Sequence, residues 1–439
     1  MQGLVDEKLP LKRLIPLGLQ HVLAMYAGAV AVPLILGSAI GLSHEELAYL
    51  IAADLFTCGI ATLLQTLGIA SFIGIRLPII LGCSFVAVAP MILIAQKSGL
   101  PAVYGAIIAS GLYIVLCSFF LGKILKLFPP IVCGSVISIV GLTLVPVAIN
   151  NAAGGLNNPH YGDPKNLALA ATVMITIILI NKYFTGYIKA LSVLLGIIVG
   201  TLLASFLGMT HFEELSRASY FGLIKPFYFG LPEFHFEAIL SMCLVSTICL
   251  IETIGVFTGI GKICNKDLSE NDLARGIRGE GVAQMLGGAF NSFPYTTFSQ
   301  NVGLVALSGV RSRYVCACAG IILMILGLIP KFAAIATIIP MAVIGGAMIP
   351  MFGMVAAAGV KMLAHSVDFS KSSNLLIISC SLAFGVGSSV VHNAFDKLPH
   401  IFQLFLGHGI VSGSIVAIVL NLFLSSDSDN AAKDEELAL

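Results

Sequence analysis

Four ionisable side chains lie inside long apolar stretches of the sequence, where a charge is expensive to bury. They are His21, Asp54, Glu252 and Glu280. A charged carboxylate at the centre of a bilayer costs roughly 2.5–3.5 kcal/mol on insertion scales, so it must face a cavity, find a donor or carry a proton. Glu252, in the middle of MCLVSTICLIETIGVFTGIG, is predicted to accept hydrogen bonds from a polar substrate, to take up a coupled proton, or both. The alternative is that a buried His or Thr pairs with Glu252 for packing alone.

The other three groups have competing interpretations. His21 is the only titratable group in its apolar stretch, and an imidazole exchanges protons near neutral pH, so a coupling role is predicted beside a packing role. Glu280, in IRGEGVAQMLGG, either takes part in function or forms a simple ion pair with Arg275 or Arg278. For Asp54 a scaffold role and a transport role both stay open, and no function is assigned to it.

Hydrogen-bonding groups are concentrated in the stretch FPYTTFSQNVG, which reads poorly as a membrane helix. The adjacent amides of Gln300 and Asn301 each offer donors and an acceptor, so they can recognise a planar ligand with alternating N–H and C=O groups. Ser299 is placed to be the N-cap of the helix that follows, whose free N–H groups attract a carbonyl oxygen or an anion. Phe85 and Phe298 offer flat faces for stacking, with ordinary core packing as the alternative.

The composition identifies a polytopic membrane protein. Of the 439 residues, 58% are hydrophobic and 10% are charged, with a mean hydropathy of +1.00, whereas soluble domains carry about 25% charged residues. Several apolar segments approach the ~20 residues that a helix needs to cross a bilayer. Fourteen segments are predicted to span: 14–40, 47–70, 77–96, 100–122, 128–150, 166–181, 190–210, 238–261, 273–290, 293–308, 314–330, 332–350, 372–391 and 400–424.

The positive charges predict the topology. With fourteen spans and the N-terminus inside, 17 of the 23 Lys and Arg residues fall in inside segments and 6 in outside loops. Because cytoplasmic loops carry the excess of positive charge, both termini are predicted to be cytoplasmic, in a protein of the inner (plasma) membrane. The last residues, 425–439, form a short acidic tail.

Other function classes find little support in the sequence. The ten cysteines are scattered without CxxC or metal-ligand spacing, so they are expected to be small packing residues, with no metal and no cofactor. GxSxG, HExxH and Walker patterns are absent from the sequence, and the protein is predicted not to be an enzyme. The net charge of +1 gives no sign of a nucleic-acid partner, and none is expected.

A polar linker, 211–237, divides the predicted spans into seven and seven. Because seven is odd, the second half must enter the membrane in the opposite orientation, as in the inverted repeats of secondary transporters. The third segment of each half, segments 3 and 10, begins with a proline, Pro78 or Pro294, and continues into a stretch of small residues. Both are predicted to be an extended half followed by a half-helix. Such paired interruptions indicate a binding site near the midplane of the bilayer.

Several motifs together resemble one family. SQNVGLVALSGVRSRYV closely resembles the signature of the nucleobase–ascorbate transporter family, Gln/Glu-Asn-x-Gly followed by Thr or Ser. The pair Gln20–His21 and the IETIG around Glu252 are similar to two further motifs, and Glu280 falls where that family carries an acidic residue. The resemblance covers essentially the whole chain, and within the family it is strongest to bacterial xanthine and uric acid permeases.

The resemblance implies an architecture and an activity. It implies a fourteen-span fold with a core domain, spans 1–4 and 8–11 (14–122 and 238–328), and a gate domain, spans 5–7 and 12–14 (128–210 and 332–424). It also implies proton-coupled uptake of a nucleobase by alternating access, with the protein acting as a homodimer in the lipid bilayer. In that picture the core carries the base past the gate.

The resemblance also implies roles for individual residues. Glu252 and Gln300 are expected to hydrogen-bond the base. Phe85 and Phe298 are expected to pack against the base, and the backbone around Ser299 to donate a hydrogen bond.

Two further residues match the family, and one position departs from its pattern. The resemblance implies that His21 and Glu280 support proton coupling. One turn after Glu252, where typical relatives have His (uracil type) or Asp (xanthine type), this chain has Val256. The missing polar side chain weakens any direct transfer of substrate from either type, and leaves Glu252 or Glu280 as the proton carrier.

Four functions are weighed. Proton-coupled import of an oxidised purine, xanthine or urate, leads, because no cluster of carbonyl and carboxylate ligands for Na⁺ stands out. Uracil is the alternative within the same class. A sulfate, bicarbonate or dicarboxylate transporter of the same fold is more distant, because Glu252 would repel an anion and the acidic tail is short. An intramembrane enzyme or a structural protein predicts no saturable uptake at all.

Overall fold

The computed structural model describes residues 5–122, 128–156, 158–210, 215, 218–395, 397–399, 402–403, 406–407 and 409–437. These residues are mostly helical, with one two-stranded sheet. The strands are β1 (Leu81–Cys83) and β2 (Tyr295–Thr297). The α-helices, in chain order, are α1 (Leu11–Ala39), α2 (His44–Leu67), α3 (Val88–Cys117), α4 (Pro130–Ala152), α5 (Pro164–Tyr183), α6 (Gly186–Ala190), α7 (Ser192–Phe206), α8 (Phe236–Ile263), α9 (Glu270–Ala289), α10 (Ser299–Ser308), α11 (Arg313–Gly327), α12 (Pro330–Thr337), α13 (Met341–Ser366), α14 (Ser372–Val390) and α15 (Gly409–Leu437).

Eight helices within the described residues are long and apolar enough to cross a membrane, and the bent pair α11–α12, which turns by 82°, makes a ninth candidate. The protein is therefore a multi-pass membrane protein. Fewer helices qualify than the fourteen predicted segments, for three reasons. Segments 3 and 4 run together in α3 through a break at Gly99; α9 is too polar; and α7, α10, α11 and the apolar part of α15 are short.

Two predicted boundaries differ from the structure. The segment 332–350 is not one helix, because α12 ends at Thr337 and α13 begins at Met341. Pro340 lies at this break, since its ring cannot continue a helix that comes before it but suits the start of the next one. The last helix, α15, continues through residues 425–437, which are predicted as a tail after the final span.

The described chain divides into two compact units. The first holds Met1–Phe119 and Val147–Pro350, and the second holds Phe120–Pro146 and Met351–Leu439. The predicted core ranges fall in the first unit up to Phe119, whereas the predicted gate ranges are shared between the two units. The division into core and gate stays a prediction.

Within the first unit, the most extensive helix contacts pair α2 with α11 and α3 with α9. Both pairs use facing glycines: a Cβ at Gly281 would lie 2.7 Å from the Gly111 carbonyl oxygen, and one at Gly320 would lie 2.9 Å from the Gly59 oxygen. The absence of side chains lets the backbones touch, which is how helices associate closely inside a membrane. In the second unit, α14 packs on α15.

The strand-plus-half-helix prediction is confirmed at both positions. A 3-10 turn, Phe85–Ala87, and α3 follow β1, and α10 follows β2. The strands are antiparallel, with Gly82 opposite Thr296 at the centre. Backbone hydrogen bonds from Ser84 N to the Pro294 oxygen (2.8 Å) and from Phe298 N to the Ile80 oxygen (3.0 Å) extend the pairing. Each extended segment thus satisfies the backbone groups of the other, as non-helical chain inside a membrane requires.

Candidate functional site

Helix α8 is attached to both strands through side chains. Thr253 Oγ1 lies 3.2 Å from Thr296 Oγ1 on β2, and Cys249 Sγ lies 3.1 Å from Ser84 Oγ, directly after β1. These residues are one turn apart on α8, so one face of the helix runs beside the strand pair. These contacts fix the position of Glu252, which directly precedes Thr253 on the same turn of the helix.

The Glu252 carboxylate is half-buried and makes no hydrogen bond with any residue that the structure describes. The neighbouring Thr253, in contrast, is fully buried and bonded. A carboxylate can accept several hydrogen bonds, so Glu252 keeps its acceptor capacity for a group from outside the protein. Packing alone with a buried His or Thr, the alternative from the sequence, is not what the geometry shows.

Glu280 on α9 is only 2% exposed, and its carboxyl group contacts α8. Its Oε1 accepts a hydrogen bond of 2.7 Å from Thr253 Oγ1. Its Oε2 and the buried Thr297 Oγ1 have no hydrogen-bond partner among the described residues. Among the described residues, one carboxyl oxygen of Glu280 is therefore bonded and the other is available to carry a proton.

The ion-pair interpretation of Glu280 is wrong. Arg275 pairs with Asp272, one helical turn earlier, at 2.6 Å. The Arg278 guanidinium lies 4.4 Å from the centroid of the Phe72 ring. Both arginines are thus directed away from Glu280, whose side chain faces the interior of the unit.

His21 and Asn301 form a second buried contact, between α1 and α10. Asn301 Nδ2 lies 3.1 Å from His21 Nδ1 and donates a hydrogen bond of 3.0 Å to the His21 carbonyl oxygen. With both amide hydrogens used in this way, the Nδ1 atom accepts, which leaves the second ring nitrogen of His21 to hold a proton. Asn301 Oδ1 is buried without a partner in the described part of the chain.

The two predicted phenylalanines converge on α1. The Phe298 ring fills the space beside two glycines: a Cβ at Gly28 would lie 2.8 Å from Phe298 Cε1 and 3.7 Å from Phe85 Cε2, and one at Gly82 would overlap the same Phe298 ring. Phe298 is buried, whereas Phe85 is half-buried. Glycine at both positions is therefore what admits the ring between α1 and β1.

Helix α10 begins at the residue predicted to be its cap, one residue earlier than expected. Phe298 is the N-cap, with extended backbone (φ −70°, ψ 112°), and no side chain that the structure describes caps the helix. Ser299 is the first helical residue, so the N-cap prediction for Ser299 is wrong. Ser299 and Gln300 are both exposed, and the first N–H groups of a helix have no partner within it. Backbone and side-chain donors are therefore presented together at this helix start.

Asp54 holds β2 against α2. Its Oδ1 accepts a hydrogen bond of 2.6 Å from Ser292 Oγ and one of 3.4 Å from the Tyr295 hydroxyl, and Cys58 Sγ lies 3.7 Å from Oδ2. The carboxylate is buried and fully engaged by the protein. Of the two roles left open by the sequence, this geometry favours the scaffold.

Sequence reasoning missed Thr253, which bonds Glu280, and the two glycines beside Phe298. Thr253 is the neighbour of Glu252 in the sequence, and this adjacency is the signal that could have found it. Val256, one turn after Glu252, is half-buried and places an apolar side chain on the open side of α8. In the part of the chain that the structure describes, no three His, Cys, Asp or Glu side chains are grouped to hold a metal ion.

Comparisons with known proteins agree on one family and one fold. A sequence model of the permease family matches residues 12–394. The xanthine permease of Bacillus subtilis is 52% identical over 406 residues, with 92% of each chain covered. The uric acid permease PucK of the same organism is 50% identical over 420 residues, with 96% of this chain and 97% of the relative covered. The uric acid transporter UacT of Escherichia coli is 46% identical over 429 residues, with 97% and 89% covered.

Solved structures are similar in fold at low sequence identity. The transmembrane domain of the cyanobacterial bicarbonate transporter BicA superposes with a TM-score of 0.63 at 16% identity, covering 89% of this chain and 99% of that one. The murine anion transporter Slc26a9 in its inward-facing state gives a TM-score of 0.65 at 13% identity, covering 95% and 69%.

Proposed function

The chain belongs to the nucleobase–ascorbate transporter family, and on that premise we propose that it imports an oxidised purine, xanthine or uric acid, together with a proton. It acts as a secondary transporter and not as an enzyme. Relatives that are 46–52% identical are named as xanthine and uric acid permeases, which supports this substrate class.

The observation that carries the proposal is the pair of unengaged polar groups at the crossing of the two strands. Glu252 has no hydrogen-bond partner among the described residues, and Gln300 is exposed at the start of α10. An oxidised purine carries N–H and C=O groups around a flat ring. A carboxylate accepts from the N–H groups, and a primary amide both donates and accepts. Phe85 and Phe298 supply the apolar surface against which the ring packs.

The backbone at Ser299 adds a donor to this site, as the N-terminus of a helix does for carbonyl oxygens. Asn301 contributes indirectly in the present geometry, because its amide is bonded to His21. We therefore assign substrate contact to Glu252, Gln300, Phe85, Phe298 and Ser299, and place Asn301 at the edge of the site.

Proton coupling is proposed for Glu252, Glu280 and His21. A carboxyl group buried in a membrane is less costly when it is neutral, and Glu280 has an oxygen without a partner in the described chain. Thr253 bonds Glu280 and directly follows Glu252. A proton taken up by one carboxyl group therefore changes the electrostatic environment of the other. In this way protonation is linked to substrate binding.

The proposed architecture is fourteen spans in two inverted repeats of seven, with core and gate domains. In a repeat of seven segments, segment 2 of the first half corresponds to segment 9 of the second half, and segment 4 corresponds to segment 11. The glycine-lined pairs, segments 2 with 11 and 4 with 9, are therefore equivalent under the repeat. The paired strands of segments 3 and 10 fit the same symmetry. We further propose a homodimer in the inner membrane with both termini in the cytoplasm, as the charge distribution favours.

The test is uptake of radiolabelled xanthine by cells that lack their own purine transporters. We expect saturable uptake that unlabelled urate inhibits and that collapses when a protonophore is added. Stronger inhibition by uracil than by xanthine and urate would favour the pyrimidine alternative. Uptake that depends on added Na⁺ and survives the protonophore would overturn proton coupling, and the absence of saturable uptake would overturn transport.

Gln300→Ala is expected to raise the KM for xanthine by about tenfold or more, because loss of a hydrogen-bonding partner costs about 1–3 kcal/mol. The order in which urate, uracil, guanine and hypoxanthine inhibit uptake should also change. The matched control is Gln96→Ala, the same truncation at an exposed position of α3, which should leave the KM unchanged. An unaltered inhibition profile for Gln300→Ala would rule out contact between this amide and the base.

A further inference from the structure

An arginine on α9 lies over two exposed aromatic rings near the C-terminal end of α3. The Arg278 guanidinium is 4.4 Å from the centroid of the Phe72 ring and 5.3 Å from that of Phe119. The two rings are 6.3 Å apart and inclined by 41°. Phe72 and Phe119 are 48% and 58% exposed. We call Phe72, Arg76, Phe119 and Arg278 the Arg278 patch.

The loop that carries Phe72 is fixed in shape. Ile69 and Ile73 exchange backbone hydrogen bonds of 3.1 and 3.2 Å, and Gly74 N donates to the Arg275 oxygen at 3.0 Å. Arg76, at the end of the same loop, donates to the Ala70 oxygen. The patch is therefore built from a braced loop, helix α9 and the 3-10 turn Ser118–Phe120 that follows α3.

Within the described part of the chain, the two arginines of the patch have no acidic partner. Arg275 and Arg313 each form a salt bridge with an aspartate, Asp272 and Asp6. Among the described residues, neither Arg76 nor Arg278 is paired with a carboxylate. Arg278 Nε donates to the Ala274 oxygen, but a guanidinium has five N–H donors. Donors on both arginines remain for an anion.

We propose that the Arg278 patch binds the headgroup of an anionic phospholipid. Exposed phenylalanines at the end of a membrane span contact acyl chains, while a guanidinium above them lies at the depth of the phosphate. A free phosphate would satisfy the arginines but not the rings, and a neutral lipid would satisfy the rings but not both charges. An anionic phospholipid satisfies both, and the positive-inside rule puts the patch at the cytoplasmic leaflet, where such lipids attract basic residues.

The chain contains no tryptophan, so Phe119→Trp places a single fluorescent reporter in the patch and keeps an aromatic face for Arg278. The full-length protein is reconstituted in bilayers of phosphatidylglycerol and phosphatidylcholine, with bromine on the acyl chains of one lipid or of the other. We expect brominated phosphatidylglycerol to quench more strongly, with a relative association constant of roughly fivefold for each arginine engaged. Arg278→Gln in the same background should lower this ratio about fivefold, since one of the two arginines is lost, and Arg278→Lys should give an intermediate value.

The control reporter is Phe206→Trp at the end of α7, where the side chain is 88% exposed and should be quenched equally by the two lipids. Equal quenching at Phe119→Trp would overturn selectivity for the anionic lipid. No quenching by either lipid would show that protein covers the patch, such as a second copy of the chain, and would also overturn the proposal. Should Arg278→Gln fail to give a monodisperse protein, Arg76→Gln tests the same charge requirement.

Discussion

Glu252→Gln abolishes uptake while the protein remains in the membrane at normal abundance: this is the result that we expect, with a loss of at least about a hundredfold. The carboxylate has no hydrogen-bond partner among the described residues, so its acceptor capacity is available to the substrate. A hydrogen bond to a charged group contributes about 1.5–3 kcal/mol, and a base with two N–H groups can use two of them. An amide of the same shape turns one acceptor into a donor and cannot take up a proton.

The same geometry predicts that this substitution leaves stability unchanged. Since Glu252 holds no other described residue in place, the melting temperature of purified Glu252→Gln should match that of the natural protein. The control is Glu237→Gln near the start of the same helix, where the carboxylate is exposed and paired with Lys97 at 2.8 Å; its uptake should be nearly normal. Near-normal transport by Glu252→Gln would remove the residue from both of its proposed roles.

Glu280 shows why function and stability separate at these two carboxyl groups. It is buried and bonded to Thr253, so a substitution there disturbs packing between α8 and α9 as well as any proton. Glu252 is the informative position, because a loss of uptake there has no structural explanation.

The sequence predicted the two interrupted segments because prolines and small residues act locally. Pro78 and Pro294 disfavour helix at the positions where the structure has extended chain, and helix resumes only after each strand. The pairing of the two strands could not be read from the sequence, because their partners are more than 200 residues apart and neither strand has a register signal beyond three residues.

Gln300 and Asn301 are neighbours in the sequence, which predicts one role for both, but their environments in the structure differ. Gln300 and Asn301 were predicted to act together as adjacent amides. On a helix, consecutive residues point about 100° apart, so Asn301 is buried against His21 while Gln300 is exposed. The Glu280–Thr253 contact could not be predicted from the sequence, because it depends on how α8 packs on α9. The nearby arginines favoured a local ion pair, which is not formed in the structure.

Gly82→Ala is expected to reduce both uptake and thermal stability, with uptake falling by at least about tenfold. A Cβ at this position would overlap the Phe298 ring, and Gly82 is held at the centre of the strand pair opposite Thr296. The ring must therefore move, at a cost of about 1–3 kcal/mol for overpacking. Gly387→Ala in α14 is the matched control, since a Cβ there meets nothing within 4 Å, and it should change neither property.

The double variant Gly82→Ala/Phe298→Ala separates packing from recognition. In the Phe298→Ala background there is room for the added methyl group, so Gly82→Ala should cause no further loss of melting temperature there, a coupling expected for residues in contact. Uptake should not recover, because the apolar face for the base is then missing. Normal uptake by the double variant would mean that Phe298 only fills space between α1 and β1, and the substrate would then need another surface against which to pack.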